Sequence, residues 1–173
     1  MNNDIVEGYK IFNLDYTNRY GKIFKEGILY QTSSKVKFGN DGKGFHMCKN
    51  LEDVFRYIDT KEGFQVAKVI GSGNIQAYND EYYGYYEMYA CQKIYILKFL
   101  SQKEVIEIIL KSREESVIRF LMTCILNDSE KLLFVRHFIE NPKILKYILY
   151  YQYNQKNAFE MTTGKIKQLI KNK

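Results

Sequence analysis

The chain has 173 residues, 46% of them hydrophobic and 27% charged, with a net charge of +6 and a single proline. That composition belongs to an ordered fold that buries roughly 70% of its unfolded surface, and it excludes a disordered chain. There is no run of about 18 uncharged apolar residues, no charged start leading into an apolar stretch, and only three scattered cysteines. A membrane span, a secretory signal and a disulfide framework are therefore not expected, and a reducing cytoplasm is.

The basic charge is uneven: residues 101–173 carry +5 and residues 1–100 carry +1. Lys, Ile, Asn and Tyr are abundant while Ala, Pro and Arg are scarce, a bias of AT-rich coding DNA, so net charge alone points only weakly to nucleic acid.

In chain order, residues 8–13 alternate and predict a first strand, with Tyr9, Ile11 and Asn13 on one face and Lys10 and Phe12 on the other. Residues 20–31 hold two short aromatic runs parted by Lys25, Glu26 and Gly27, read as a turn between extended pieces. After a glycine-rich loop to Gly44 comes the central stretch, a short strand that turns at Asn50 into a helix. Leu51, Val54, Phe55 and Ile58 lie on one face of that helix, Asn50 is its expected N-cap, and Asp53 sits in its first turn. Residues 64–71 predict a strand that the glycines at 71 and 73 end or bulge, with 74–78 extending it past the bend. Residues 93–100 predict the last strand.

From Ser101 onward the pattern becomes helical. Ser101 with Glu104, Ser112 with Glu115, and Asn127 with Glu130 carry the spacing of a capping box, and Asn141-Pro142 opens a fourth helix. The spacing predicts helices over 102–111, 113–126, 129–140 and 142–153 and a shorter one near 163–171. Their apolar faces are expected to pack on each other and on the sheet, as one compact unit with subdomains 1–100 and 101–173. The fold class expected is α+β: a small, mostly antiparallel sheet with one packed helix, then a bundle of four to five helices.

Two glycine-rich stretches carry no nucleotide motif. In Gly39 to Gly44 the lysine is followed by Gly44 and a strand, where a phosphate loop needs Ser or Thr and a helix. In Gly71-Ser72-Gly73 the third glycine position holds Gln76. His46 and Cys48 alternate along the central strand and face one side. They read as packed residues at a strand end, or as a thiol of lowered pKa beside a helix N-terminus with an imidazole as base. A metal site lacks further paired ligands, and no metal or cofactor is expected.

Residues 69–92 contain no Lys or Arg but hold Asp80, Glu81, Glu87 and tyrosines 78, 82, 83, 85, 86 and 89. They read either as an irregular segment closing over the sheet or as an acidic aromatic patch for a protein or small cationic ligand. Tyr82, Tyr83, Tyr85 and Tyr86 are its candidate binding residues, with Tyr9 and Cys48. The lysines at 143, 146, 156, 165, 167, 171 and 173, near Tyr147, Tyr150, Tyr151 and Tyr153, form a solvated basic face or an alternative nucleic-acid surface.

With these residues in view, the first hundred positions resemble a small family of uncharacterised bacterial and phage domains. The resemblance rests on Tyr9-Lys10-x-Phe12, on Gly44-Phe45-His46-x-Cys48 leading into Asp53, Val54 and Tyr57, on the strand ending around Val69 to Gly73, and on Lys93, Ile94, Ile96 and Leu97. It implies a fold and no activity. A second likeness, to ADP-ribosyltransferase-like folds, implies nucleotide transfer with Tyr9, His46 and Glu87 at the nucleotide and His46 and Glu87 in catalysis, although Lys10 stands where that family has His or Arg. The function expected is a cytoplasmic interaction or small-ligand module of phage or mobile-element type, without enzymatic activity.

Overall fold

The structure, a computed structural model of the chain, describes residues 5–37, 42–57, 63–80 and 86–171, the side chains at 79, 80, 86, 163 and 169–171 excepted. The chain divides into two compact units, Met1–Ile108 and Ile109–Lys173.

The first unit is built on five antiparallel strands: β1 (Ile5–Asn13), β2 (Leu29–Gln31), β3 (Phe45–Cys48), β4 (Phe64–Asp80) and β5 (Tyr86–Leu100). One edge of β5 pairs with β4 over nearly its whole length, and the other edge takes β3 at 88–91 and β2 at 93–95. The free edge of β4 takes β1, and β1 meets β3 where Tyr9 stands opposite Cys48. β1, β4, β5 and β3 therefore close into a ring, and closure removes the exposed edges an open sheet would present.

The ring requires long strands that bend. Register shifts at Lys68/Val69 and Ser72/Ile75 supply the bends. The second coincides with Gly73 at a φ of 82°, a left-handed position that side-chain-bearing residues rarely adopt. The glycine pair read from sequence is thus a bulge inside one strand and not a strand end.

Alternation sorts the side chains. Val6, Gly8, Lys10 and Phe12 of β1 share a face with Ala67 and Val69 of β4 and Met47 of β3. The buried core is drawn from this face together with Tyr89, Cys91, Ile94 and Ile96 of β5 and Phe24 from the β1–β2 connection. Phe12 and Phe24 have ring centroids 5.0 Å apart, and Phe24 lies 4.6 Å from Tyr30. Each such fully buried ring contributes about 1.5–3 kcal/mol over leaving it in water.

β3 is followed by a 3-10 helix, Leu51–Tyr57, where sequence spacing predicts a regular helix capped by Asn50. Ile58, expected on the same apolar face, lies outside the described residues. Asn50 does not cap through its oxygen: its side-chain amide donates to the Asp53 carboxylate at 3.4 Å, and the Asp53 backbone N–H reaches the Asn50 carbonyl. Asp53 is 1% exposed, with the Arg56 guanidinium 3.6 Å away. A 3-10 helix eclipses residues three apart, which sets this buried acid beside its cation.

The tyrosine-rich segment is not irregular where it is described. β4 runs through Tyr78 to Asp80, and β5 starts at Tyr86. After β5, α1 (Gln102–Ile109) starts at Ser101 as expected: Glu104 accepts from the Ser101 backbone and hydroxyl, and Lys98 of β5 pairs with Glu104 at 2.6 Å.

In the second unit, α2 (Glu114–Thr123), α3 (Asp128–His137), α4 (Pro142–Tyr147) and α5 (Thr163–Lys171) match the predicted order. Asn127 and Glu130 form the expected capping box, and Asn141 accepts from the Ile144 backbone. The N-cap position of α2 is Arg113, one residue after the expected Ser112. The helix opens after Arg113 without a side-chain cap, and Glu114 instead accepts from Asn141 at 2.9 Å and pairs with Lys143 at 2.6 Å.

The predicted helix 142–153 changes to a π-helix over Ile148–Gln152. The wider turn brings Gln152 to the end of α2, where it donates to the Leu121 and Cys124 carbonyls and accepts from the Leu126 N–H. One side chain thus satisfies three groups that a helix end leaves open, which accounts for the departure from α geometry.

Gly8 is the tightest point of the ring, since a Cβ there would overlap the Cys48 carbonyl and the Met47 methyl. Gly8→Ala is expected to destabilise the chain by about 2 kcal/mol or more, read as a lower denaturant midpoint; an unchanged midpoint would show that β1 and β3 do not approach this closely.

Candidate functional site

β3 orders the residues singled out by sequence. His46 lies opposite Ala90 and Cys48 opposite Met88, so both face outward, and Tyr9 joins them opposite Cys48. Glu87 has the other parity on β5 and shares the inner face with Tyr89, whose hydroxyl donates to its carboxylate. The pleat therefore brings Tyr9, His46 and Cys48 together and sends Glu87 to the opposite face of the β3–β5 ribbon. Glu81, Tyr82, Tyr83 and Tyr85 lie outside the described residues, and of Tyr86 only the backbone is described.

Cys48 is buried, and its thiol is pushed up to about 12, first by burial and then by the nearby Asp53 carboxylate. This agrees with packed residues at a strand end and runs against the alternative of a lowered pKa: burial and Asp53 outweigh the opposing pull of Lys10 and Arg56. Burial likewise raises Cys91 and Cys124 to about 12. His46 is held below its ordinary value by burial and by Lys10 and Arg19, with a Lys37 backbone hydrogen bond acting the other way. Among the described residues no group of three or more His, Cys, Asp or Glu comes together to hold a metal ion.

The residue that stands out is Lys10, which by sequence is only one letter of a motif. It turns to the inner face between Gly8 and Phe12. Its ammonium nitrogen donates to the His46 carbonyl at 2.8 Å and lies 5.6 Å from the Phe12 ring centroid. Burial lowers its pKa from 10.5 to about 8; Arg19 adds to the lowering, and Cys48 and Cys91 oppose it.

Two further cations gather at the end of the barrel where β1 finishes and β3 begins. Lys22 stands 4.9 Å from the Tyr30 ring and 5.7 Å from those of Phe24 and Phe45. Arg19 lies 4.7 Å from the Tyr20 ring and acts electrostatically on both Lys10 and His46. Among the described residues none of Lys10, Arg19 and Lys22 is ion-paired with a carboxylate; the ion pairs of this unit are Lys68–Glu7, Lys98–Glu104 and Arg56–Asp53.

By sequence Arg19 and Lys22 are loop residues with no motif around them. The available signal was cations interleaved with Tyr16, Tyr20, Phe24 and Tyr30, opposite a strand whose Lys10 sits on the Phe12 side. In the second unit, Lys143 and Lys167 are paired with Glu114 and Glu140, and Lys146 donates to the Phe159 carbonyl. Tyr147, Tyr150 and Tyr151 pack on one another and on Phe159.

These surroundings fix two outcomes. Lys10 has a folded pKa below its unfolded one, so the folded chain binds fewer protons between pH 8 and 10.5, and the cost of charging Lys10 is full below that window and fades across it. Lys10→Met is therefore expected to be more stable than wild type at pH 7, by at most about 3 kcal/mol, with the difference shrinking towards pH 10.5 in paired denaturation curves. A variant less stable at pH 7 would show that the ammonium stabilises the fold. At pH 8 the buried thiols are about 0.01% thiolate, so iodoacetamide is expected to leave the native chain unmodified and to label three cysteines after denaturation. Rapid labelling of native Cys48 would contradict its burial.

No curated protein matches the chain, and no solved structure does. A protein-family model described as a domain of unknown function, DUF7666, matches residues 6–108, which is more than half of the chain and holds nearly all of β1 and the whole of β2 to β5. The chain belongs to the DUF7666 family.

Proposed function

We propose that this domain is a cytoplasmic binding module without enzymatic activity, and that the cationic, aromatic end of its barrel takes a small anionic ligand. The observation that carries the reading is that Lys10 and Lys22 lie against one cluster of rings, Phe12, Phe24, Tyr30 and Phe45, that Arg19 acts electrostatically on Lys10, and that none of the three has a carboxylate partner among the described residues. A phosphate or carboxylate that arrives beside Lys10 offsets the repulsion it meets from Arg19, and the rings offer a face for an apolar or aromatic remainder.

Tyr20 and Ile23, in the same connection, are 73% and 58% exposed, so a ligand meets apolar surface on its way in. Three unpaired thiols suit a reducing compartment. A bacterial, phage or mobile-element source belongs to the same proposal, on the strength of the Gly44-Phe45-His46-x-Cys48 resemblance. The partner of opposite charge expected from sequence depended on tyrosines and carboxylates at 80–87, most of which lie outside the described residues.

Thermal unfolding at low ionic strength tests the reading, with inorganic phosphate, a nucleoside monophosphate and the uncharged nucleoside as probes. Saturable stabilisation by the two anions and none by the nucleoside is expected, with an affinity about tenfold weaker in Lys22→Gln. Equal responses to anion and neutral nucleoside, or no saturable response to millimolar phosphate, would overturn it.

A further inference from the structure

We propose that Lys10 is a nucleophilic amine that condenses with an aldehyde or ketone bearing an anionic group, held at the barrel end. The inference rests on the binding reading above and adds a covalent step to it. The amine nitrogen donates its lone pair to the carbonyl carbon and gives a carbinolamine. The former carbonyl oxygen then leaves as water with the two protons the nitrogen loses, and a carbon–nitrogen double bond remains. The step needs no oxidant or reductant, and water reverses it.

Placement is the first support. Lys10 sits on a strand that β3 and β4 grip on both edges, which fixes where its stem begins. Its nitrogen is held by one backbone carbonyl, that of His46, and by no carboxylate among the described residues. A carboxylate would keep the nitrogen protonated, whereas a carbonyl oxygen accepts one of its hydrogens and leaves the neutral amine a lone pair. Apolar Phe12 and Ala67 are its neighbours on the inner face, an environment that favours the uncharged form and disfavours return of water to an imine. Arg19 and Lys22 stand where an anionic substituent would anchor the carbonyl compound.

The titration behaviour agrees with this placement. With a pKa of about 8, roughly a quarter of Lys10 is neutral at pH 7.5, against about one in a thousand for an ordinary lysine. The groups around it are Arg19 and Lys22 from the β1–β2 connection, His46 and Cys48 from β3, and Cys91 from β5. The two thiols stay neutral in this range, and Arg19 favours the neutral amine.

The test treats the full-length chain at pH 7.5 with pyridoxal 5′-phosphate as probe and sodium cyanoborohydride as trapping reductant, then maps the labelled lysines by peptide mass spectrometry. Labelling of Lys10 at least tenfold faster than exposed lysines such as Lys156, slowed by inorganic phosphate, is expected. Labelling of Lys10 no faster than Lys156 would overturn the inference, whatever phosphate does to stability. Fast labelling that phosphate neither slows nor accompanies with stabilisation would leave the nucleophile standing and overturn the anionic-ligand reading.

Discussion

The meeting of β1 with β3 at Tyr9 and Cys48 is the contact on which the barrel depends. Without it the sheet would be an open ribbon of β4 and β5 with short strands along its edges. Gly8 makes the meeting possible, because a side chain there would occupy the space of the Cys48 carbonyl. Gly71 does the same across the interior, where a Cβ would run into the Cys91 sulfur. A ring of four strands has so little internal volume that two inward positions carry no side chain, and the rings of Phe12, Phe24, Tyr30 and Phe45 gather at one end of it.

That confinement explains where a charge can reside. A lysine on the inner face of a barrel filled with apolar side chains is costly, and evolution ordinarily removes such a group or pairs it with an acid. Here the stem of Lys10 runs along the apolar wall and its nitrogen reaches the carbonyl of His46 at the end where β3 begins. The Phe45-His46 pair thus serves two purposes: the Phe45 ring faces Lys22, and the next carbonyl holds Lys10. The motif Gly44-Phe45-His46-x-Cys48, which reads in sequence as a pair of functional side chains, exerts its effect through backbone and an aromatic ring.

The sequence made the elements legible because their local chemistry is strong. The alternation in residues 8–13, the capping spacing at Ser101 and Asn127, and the proline at 142 each name a structure that survives packing. What it hid depends on distance along the chain. Asn50 and Asp53 carry the letters of a helix start, but burial of Asp53 beside Arg56 turned them to a different bond. The N-cap of α2 fell to Arg113 instead of Ser112, and the Glu114 carboxylate beside it is held by Asn141 and Lys143, 27 and 29 residues away. His46 and Glu87 were paired by chemical type; register, which no single strand encodes, put them on opposite faces. Arg19 and Lys22 gained meaning only when the connection folded onto the barrel end and set Lys22 over rings from β2 and β3.

Two independent boundaries fall at the same residue. The family match ends at position 108, and so does the compact unit that contains the barrel and nearly all of α1. The unit therefore extends past the last strand because Lys98 and Ser101 bind Glu104, tying the first turn of the helix to the end of β5. Lys10, Arg19, Lys22 and their ring partners all lie inside this boundary. The helical unit is held by devices of its own, the capping box at Asn127 and the π-turn that Gln152 clamps to the end of α2.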